Sequence, residues 1–390
     1  TTLTDWMLAA DKRTKVLSVS RKDRGAILPI GKSKQPVFWF SDGRFTSSSY
    51  YFKQLPEWVT IYNSHDYPGQ YAAKTWDLLL PASAYPEPDS VPQENAGRTI
   101  TFPKVMPDDP ESASRSLPAF PWMDEVTLQF ALEGMKATGL GRGPQTDLLA
   151  VSLSTLDAVG HAYGPDSREV HDMVLRLDRM LGTFFDSLDA RVGTGRYVVT
   201  LTGDHGVAPL IGVKSADPNG DAKTVSLAPA FEVFQQALAK GGIDPQQTSL
   251  DDGIVAVAPE VLRDKPREVD EAVSQFLRAA RQVPGILRAD RLRDLARADT
   301  VQDVIARRWL HMFDPSNSTV VAIATITPYS YWQGVTYATH GTPHDYDARV
   351  PVIFWGPGFA TGRFDGPGRV VDMAPTLAAL LGVRPLEKLD

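Results

Sequence analysis

The chain has 390 residues, of which 43% are hydrophobic and 22% are charged, an ordinary balance for a globular protein with a large core. Its formal net charge of -7 argues against nucleic acid as the main partner, because phosphate backbones favour basic surfaces. The sequence contains no apolar run near the roughly 20 residues that a membrane-spanning helix needs. It also contains no cysteine, so any metal site must use histidine and carboxylate side chains.

Helical and strand patterns alternate along the chain, and this alternation favours an α/β fold with a largely parallel sheet. Residues 2–11 have the pattern of a helix. Residues 168–192 predict a longer amphipathic helix, with Val174 and Leu188 on its apolar face. The stretch 148–206 predicts a strand, a functional loop, a helix and a strand, which is a βαβ unit. Five short segments, rich in β-branched residues and bounded by turn signals, predict strands: 15–20, 148–154, 197–203, 319–327 and 350–356.

Two regions interrupt this alternation. Residues 30–120 are rich in proline, serine and aromatic residues, and they predict a loop-rich insertion. Residues 213–318 are charged and predict a second, mostly helical insertion. We therefore expect one domain over residues 1–390 that carries two insertions.

Side chains suited to metal and phosphate binding lie next to the predicted strands. In open α/β sheets, ligands bind beyond the carboxyl ends of the strands, so these positions are the candidates for a functional site. Four segments supply them: Lys22 and Arg24 after the first strand, Asp157 and His161 after the second, Asp204 and His205 after the third, and His340 just before the last.

Histidine and carboxylate together suit zinc, which prefers tetrahedral nitrogen and oxygen ligands. Three such ligands leave the fourth position of one zinc for substrate, and the remaining Asp and His make half of a second site. Two metals about 4 Å apart can hold the attacking and leaving oxygens of a phosphoryl transfer. The lysine and arginine would then hold the other phosphate oxygens. Gly160, Gly203 and Gly206 would let the backbone approach a crowded ion.

Each of these residues also has an ordinary interpretation. An Asp-x-x-x-His spacing is common, and Asp204 can cap a turn. Lys22 and Arg24 can belong to a solvated loop, and His340 can be a structural histidine in a Gly/Pro-rich loop. Their joint position at strand ends is what favours a metal site.

Several segments resemble a known family. STLDAVGHAYGPDS (154–167), TGDHG (202–206) and THGTPHDYDARVPVIFWGPG (339–358) resemble the metal-binding segments of the alkaline phosphatase superfamily, in particular its type I phosphodiesterase/nucleotide pyrophosphatase branch. SVSRKDRGAI (18–27) is similar to the Ser-x-Lys-x-Arg segment of zinc-dependent bacterial alkaline phosphatases that use a threonine nucleophile. VDMAPTLAALLG (371–382) is similar to the last helix of the superfamily.

The resemblance implies a three-layer α/β/α sandwich, with insertions around the site, that binds two zinc ions. It assigns one zinc to Asp157, His161 and His340, and the other to Asp204 and His205. Lys22 and Arg24 would contact the phosphoryl oxygens and favour monoesters over diesters. The expected substrates are small phosphate monoesters, the product is inorganic phosphate, and the expected location is the periplasm or the outside of the cell.

The nucleophile is the main departure from the family pattern. In the family, the threonine nucleophile, a phosphate-contacting asparagine and one more zinc ligand lie upstream of the Ser-x-Lys-x-Arg segment. Only 19 residues precede Ser20, and Thr1, Thr2 and Thr4 precede the first strand, which is the wrong place for a nucleophile. We therefore assign no nucleophile in this chain and expect an N-terminal part of the family domain to be absent.

Three hypotheses follow. The first is a zinc-dependent phosphomonoesterase that acts through a covalent phosphothreonine in the complete protein. The second is a phosphodiesterase or nucleotide pyrophosphatase on the same scaffold. The third is a non-catalytic metal- or phosphate-binding fragment, because the nucleophile is missing.

Overall fold

The chain divides into two compact units. In the computed structural model, which describes residues 1–213, 220–366 and 368–389, unit 1 comprises Thr1–Asp204 and Pro351–Asp390, and unit 2 comprises His205–Val350. Part of the predicted insertion at 213–318, namely residues 214–219, lies outside the described residues. The division of the chain into one domain with two insertions stays a prediction.

Unit 1 contains most of the predicted strands. Its strands and helices are α1 (Leu3–Ala10), β1 (Val16–Ser20), α2 (Asp23–Ile27), β2 (Val37–Ser41), β3 (Arg44–Thr46), α3 (Glu57–Asn63), α4 (Tyr67–Tyr71), β4 (Thr75–Trp76), β5 (Lys104–Val105), α5 (Pro110–Ser116), α6 (Trp122–Thr138), β6 (Leu148–Ser152), α7 (Thr155–Tyr163), α8 (Arg168–Val192), β7 (Val199–Thr202), β14 (Val352–Trp355) and α15 (Met373–Leu381). Short 3-10 turns occur at Leu28–Ile30, Ala82–Ala84, Glu94–Gly97, Leu117–Ala119 and Val370–Asp372.

Unit 2 has its own strands and helices. They are β8 (Thr224–Val225), α9 (Ala228–Lys240), β9 (Thr248–Asp251), β10 (Ile254–Val257), α10 (Pro259–Asp264), α11 (Pro266–Ala280), β11 (Ile286–Arg291), α12 (Leu292–Leu295), α13 (Val304–Met312), β12 (Val320–Ile326), β13 (Tyr331–Trp332) and α14 (Asp345–Ala348), with a 3-10 turn at Pro245–Gln247.

The main sheet of unit 1 has the strand order β3-β2-β1-β6. β1 pairs in parallel with both β2 and β6, and β3 is added antiparallel to β2. All five residues of β1 are buried, as expected for the inner strand of a parallel sheet covered on both faces. The predicted α/β class with a largely parallel sheet is confirmed.

The other predicted strands exist but pair differently from the expectation of one sheet. β7 and β14 form an antiparallel pair in which Val352 lies opposite Thr202. β12 lies between β11 and β10 in an antiparallel sheet of unit 2. A short apolar run identifies a buried strand, but it does not specify the direction or the identity of its neighbours, so the sequence could not distinguish these cases.

The core of unit 1 is built on packed aromatic rings. Phe45 and Phe130 stack with ring centroids 3.9 Å apart, and Phe38 meets Phe130 edge to face at 5.6 Å. Tyr62 contacts the same cluster and donates its hydroxyl to the carbonyl of Val126 at 2.8 Å, so its polar end is satisfied inside the core. This cluster joins β2, β3, α3 and α6.

Unit 2 has a separate core, in which α9 and α11 cover one side of its antiparallel sheet. Phe234 and Phe276, both fully buried, meet edge to face at 6.1 Å. They pack with Val255 and Ala322 of the two central strands. Each unit therefore buries apolar side chains of its own.

Across the described ranges, we find no helix with the length and apolarity needed to span a bilayer.

Helix α8 has the predicted limits, but its buried face differs from the prediction. Leu188 is buried as expected, whereas Val174 is 46% exposed and the charged residue Asp172 is fully buried. The apolar periodicity predicted the helix correctly, but it could not reveal that the first half of the helix packs against polar partners.

Asp172 joins helix α8 to the segment that was predicted as a loop-rich insertion. Its carboxylate accepts hydrogen bonds from Trp76 Nε1 at 2.6 Å, the Leu79 amide at 2.7 Å and the Tyr85 hydroxyl at 2.6 Å. Arg176 Nε donates to it at 2.5 Å. Burial alone raises the pKa of Asp172, but these hydrogen bonds outweigh burial and hold the pKa below its ordinary value.

We expect Asp172→Asn to lower the free energy of unfolding by about 2–4 kcal/mol, because an amide NH₂ would replace an oxygen that faces only donors. Urea unfolding of the variant measures this loss. Asp178→Asn is the matched control, since Asp178 is exposed on the same helix and its change should cost less than about 0.5 kcal/mol. Equal losses in the two variants would contradict the role assigned to Asp172.

Candidate functional site

The carboxyl ends of β1 and β6 bring two of the candidate segments together in unit 1. The two strands pair in parallel with Ser20 opposite Ser152, so both end at the same level. Gly25 then lets α2 pack closely over these ends, since a Cβ at this position would lie 2.6 Å from the hydroxyls of both serines. Lys22 is the N-cap residue of α2 and Asp157 follows β6, so the strand register places them side by side.

The segment predicted as a functional loop after β6 is largely helix α7. Asp157 and His161 are four residues apart in this helix and therefore lie on the same face. Asp157 Oδ1 lies 3.2 Å from His161 Nε2. The turn signals in the sequence belong to the end of the helix, where Gly164 has a φ of 84° that favours glycine.

Lys22 contacts the predicted metal ligand Asp157 directly. The Lys22 ammonium forms an ion pair with Asp157 Oδ2, while its backbone amide donates to Ser20 Oγ at 3.0 Å. Burial alone raises the pKa of Asp157, but the hydrogen bonds from His161 and Lys22 outweigh burial and hold it well below its ordinary value. Asp157 is therefore an ionised acceptor between a histidine and a lysine.

The two arginines of this segment differ in their surroundings. Arg24 lies in α2 and is exposed, whereas Arg21 is half-buried. Burial lowers the pKa of Arg21, and the negative charges of Asp157 and Asp124 oppose that shift. Arg21 was not predicted as a site residue from the sequence, although it belongs to the same Arg-Lys-Asp-Arg run as Lys22 and Arg24.

The remaining predicted ligands lie at or beyond the end of β7. Asp204 is the last residue of the first segment of unit 1, and His205 is the first residue of unit 2. Within unit 2, the rings of His205 and His340 stack with centroids 3.4 Å apart. His205 Nδ1 lies 2.9 Å from the carbonyl oxygen of Gly206. The structure therefore brings together Lys22, Asp157 and His161 in one unit, and His205 and His340 in the other.

Asp347 holds the two histidine segments of unit 2 together. Its backbone carbonyl accepts the amide of Gly206 at 2.7 Å, and its side chain accepts the amide and hydroxyl of Thr342 at 2.7 and 2.6 Å. Gly206 is required for this approach, because a Cβ there would lie 1.9 Å from the Tyr346 carbonyl oxygen. Gly206 therefore permits this backbone contact between the two segments. Asp347 was not identified from the sequence, where it is one of several polar residues in a loop.

His344 lies four residues after His340 in the same segment of unit 2. It is 8% exposed, and its Nε2 lies 2.9 Å from the carbonyl oxygen of Ile326 at the end of β12. Burial lowers its pKa. Arg308 of α13 donates to the carbonyl of Pro343 and to Asp345 Oδ1, each at 2.7 Å. These contacts fix the loop that carries His340.

Other polar residues have structural contacts. The hydroxyls of Thr2 and Thr4 donate to the carbonyl of Pro29, at 3.2 and 2.7 Å. His171 of α8 pairs with a carboxylate, since its Nδ1 lies 3.0 Å from both carboxylate oxygens of Glu87.

Buried charges support the carboxyl end of α7. Lys104 Nζ lies 2.6 Å from Glu169 Oε1 and 4.5 Å from the ring centroid of Tyr163, the last residue of the helix. Glu94 is 2% exposed nearby, and among the described residues no group hydrogen-bonds its Oε2. Burial raises the pKa of Glu94 to about 8, with a further rise from Glu169 that Lys104 opposes.

The fold and these residues point to chemistry on an anionic substrate, because two parallel strands are followed by a lysine, an ionised aspartate and a histidine. The family model "Type I phosphodiesterase / nucleotide pyrophosphatase" matches residues 33–341. The chain belongs to this family, as the sequence motifs predicted, and it is a phosphoester hydrolase.

Two curated relatives match nearly the whole chain. The alkaline phosphatase PafA of Elizabethkingia meningoseptica is 33% identical over 98% of this chain and 72% of its own length. The alkaline phosphatase PhoV of Synechococcus elongatus is 32% identical over 98% of this chain and 70% of its own length. These matches do not support the expectation that an N-terminal part of the family domain is absent.

Solved structures agree with these matches. The crystal structure of wild-type PafA superposes with a TM-score of 0.87 at 30% identity, covering 98% of this chain and 75% of that one. A PafA variant superposes with a TM-score of 0.86 at 31% identity and the same coverage. In that variant a threonine, an asparagine, a lysine and an arginine are substituted, and the lysine and arginine are two positions apart.

The family and the alkaline phosphatases match different parts of the site. The family match begins at residue 33, so it includes all five predicted metal ligands but neither Lys22 nor Arg24. The alkaline phosphatase matches leave out only about 2% of the chain, fewer residues than precede Lys22. Lys22 and Arg24 therefore lie in a stretch that the phosphatases share.

We expect Glu94→Gln to make the protein relatively more stable as the pH rises. The folded-state pKa of about 8 lies above the ordinary value near 4.5, so the folded protein keeps a proton that the unfolded chain loses. This contribution to stability is present at low pH and is lost as the pH rises towards 8. Glutamine resembles the protonated form of the Glu94 carboxyl group, so the variant should keep this contribution to stability at high pH.

Urea unfolding at pH 5, 7 and 9 measures this effect. The difference in unfolding free energy between variant and parent should grow in favour of the variant with increasing pH. Glu111→Gln, at an exposed side chain, is the control and should show no such trend. A pH-independent difference for Glu94→Gln would contradict the prediction.

Proposed function

We propose that this protein is a zinc-dependent phosphomonoester hydrolase of the alkaline phosphatase type. The observation that carries the proposal is Asp157, which lies between Lys22 and His161 at the common end of β1 and β6 and contacts both. The names of the relatives PafA and PhoV support the same activity.

The proposed zinc ligands are Asp157, His161 and His340 for one ion, and Asp204 and His205 for the other. The i,i+4 spacing in α7 supports the first pair, since both side chains lie on one helix face. Carboxylate and imidazole donors suit zinc, and the chain has no cysteine to compete. Zinc bound there would supply positive charge beside the transferring phosphoryl group.

Lys22 and Arg24 are proposed to hold the phosphoryl oxygens. A monoester carries one more ionisable oxygen than a diester, so two cations favour the monoester. The ion pair of Lys22 with Asp157 supports this role, because it keeps the ammonium beside the proposed ligand. The lysine and arginine replaced in the PafA variant have the same two-residue spacing.

The proposed reaction passes through a covalent phosphothreonine in the complete protein, as the family resemblance implies. The threonine oxygen bonds to phosphorus as the ester oxygen leaves with a proton, and water then releases inorganic phosphate. No threonine of these 390 residues is assigned as the nucleophile.

A phosphodiesterase or nucleotide pyrophosphatase is the second candidate. The description of the family model supports it, since the matched residues contain all five proposed metal ligands. The two candidates differ in the contribution of Lys22 and Arg24, which lie outside that match. In either case the substrate is a small phosphate ester, and we propose a periplasmic or secreted location on the basis of the family resemblance.

Zinc content tests the proposed ligands. The parent chain, purified with zinc and then dialysed, should retain the metal, as measured by elemental analysis. His161→Ala should weaken zinc binding by at least about tenfold, because one of three ligands of an ion is lost. His171→Ala, a histidine of the next helix that pairs with Glu87, should behave like the parent. Equal zinc affinity in the two variants would rule out His161 as a ligand.

A substrate comparison tests the monoester assignment. In the complete protein, we expect Lys22→Ala with Arg24→Ala to reduce kcat/KM for p-nitrophenyl phosphate by about 10²–10³-fold, because charge stabilisation of the transferring group is lost. The value for bis-p-nitrophenyl phosphate should fall much less. Lys12→Ala with Arg13→Ala, an exposed pair, is the control for the same change in net charge. Equal losses on both esters would favour the phosphodiesterase candidate.

A further inference from the structure

A fully buried carboxylate, Asp124, lies in the first turn of helix α6. Its Oδ1 accepts the hydroxyl of Thr155 at 2.8 Å and the amide of Thr155 at 3.3 Å. Its Oδ2 is buried, and we find no hydrogen-bond partner for it among residues 1–213, 220–366 and 368–389. Burial raises the pKa of Asp124 to about 6, while the Thr155 and Ser154 hydrogen bonds and the charge of Arg21 oppose that rise. Burying an incompletely hydrogen-bonded carboxylate costs free energy, which points to a functional reason for an aspartate at this position.

Thr155 is the first residue of α7, the helix that carries Asp157 and His161. The first amides of a helix have no partner inside the helix and need an outside acceptor. Ser154 occupies the usual capping position, but its side chain makes no capping hydrogen bond. The residue just before a helix normally caps it by accepting a hydrogen bond from one of its first amides. For α7 this acceptor is instead Asp124, which belongs to α6.

The same carboxylate is also coupled to the segment of Lys22 and Arg24. Arg21 is the cation whose charge acts on Asp124, and Asp157 acts on Arg21 in turn. The Nε of Arg21 is buried without a hydrogen-bond partner among the described residues. Asp124 thus interacts with both segments that meet at the ends of β1 and β6.

We propose that Asp124 is a positioning residue: by holding the first turn of α7 through Thr155, it fixes the direction in which Asp157 and His161 present their side chains. The metal part of this inference rests on the proposed function, whereas the helix part does not. The contact through which Asp124 would do this is the one with Thr155, at the start of α7.

The test uses three substitutions and one control. Asp124→Leu removes the acceptor and keeps the number of side-chain heavy atoms. Asp124→Asn keeps an acceptor oxygen towards Thr155, and Thr155→Val removes the hydroxyl from the other side of the contact. The control is Thr127→Val, which removes a buried hydroxyl of α6. This hydroxyl donates within its own helix, to the Met123 carbonyl at 2.8 Å.

The first measurement is amide hydrogen exchange in the metal-free protein. Asp124→Leu and Thr155→Val should increase exchange in residues 154–157 and leave β1 unchanged, while Thr127→Val should not affect residues 154–157. The second measurement is zinc affinity by competition with a chelator. Asp124→Leu should weaken binding by about 10–100-fold, as loss of supporting contacts does at other metal sites, and Asp124→Asn should stay near the parent.

The two measurements separate the possible failures. Unchanged exchange in residues 154–157 of Asp124→Leu and Thr155→Val, or an equal increase in Thr127→Val, would overturn the proposal. If Asp124→Leu does not fold, Thr155→Val decides the same question. A parent chain that binds no zinc would refute the proposed function, while the exchange result would still decide whether Asp124 holds α7.

Discussion

The parallel pairing of β1 with β6 is the constraint on which the site in unit 1 depends. With Ser20 opposite Ser152, two segments far apart in sequence leave the sheet at one point. A shift of one residue would turn the side chains of one strand to the other face and separate Lys22 from Asp157. The small hydroxyls of these serines and the absence of a side chain at Gly25 allow α2 to lie over the strand ends.

Helix α7 is held at both ends by charges that are buried away from the proposed ligands. Asp124 contacts its first residue, and Lys104 with Glu169 lies against its last residue, Tyr163. Buried charges are costly, and contacts of this kind usually add less to stability than to the choice of one geometry. Their placement at the two ends of a nine-residue helix is consistent with a helix whose orientation matters more than its stability.

The sequence predicted the strands and the candidate residues better than it predicted their surroundings. Short β-branched runs identified β1, β6, β7, β12 and β14 because each strand is apolar and bounded by turn residues. The direction of pairing was not predictable, since it depends on long-range contacts that a local pattern does not contain. The segment after β6 was predicted as a loop, but it is helix α7. Gly160 and Gly164 favour turns, and this signal hid the helical spacing of Asp157 and His161.

Supporting residues were the hardest to predict. Asp124, Asp172 and Asp347 are buried acids whose partners lie far away in the sequence or in loops, so a local pattern presents them as ordinary polar positions. The same limit applies to Val174, which has helical apolar spacing but is exposed. Packing against a polar partner leaves no periodic signal.

The antiparallel pair of β7 and β14 has a topological consequence. Thr202 and Val352 are directly paired, and between them the chain forms all of unit 2. In connectivity, unit 2 is thus the loop of a β-hairpin, enlarged from a few residues to well over a hundred. The entropy of closing a loop grows only slowly with its length, and a hairpin end tolerates insertion. A module placed there can change in size or sequence during evolution without disturbing the strand order of the sheet that carries Lys22 and Asp157.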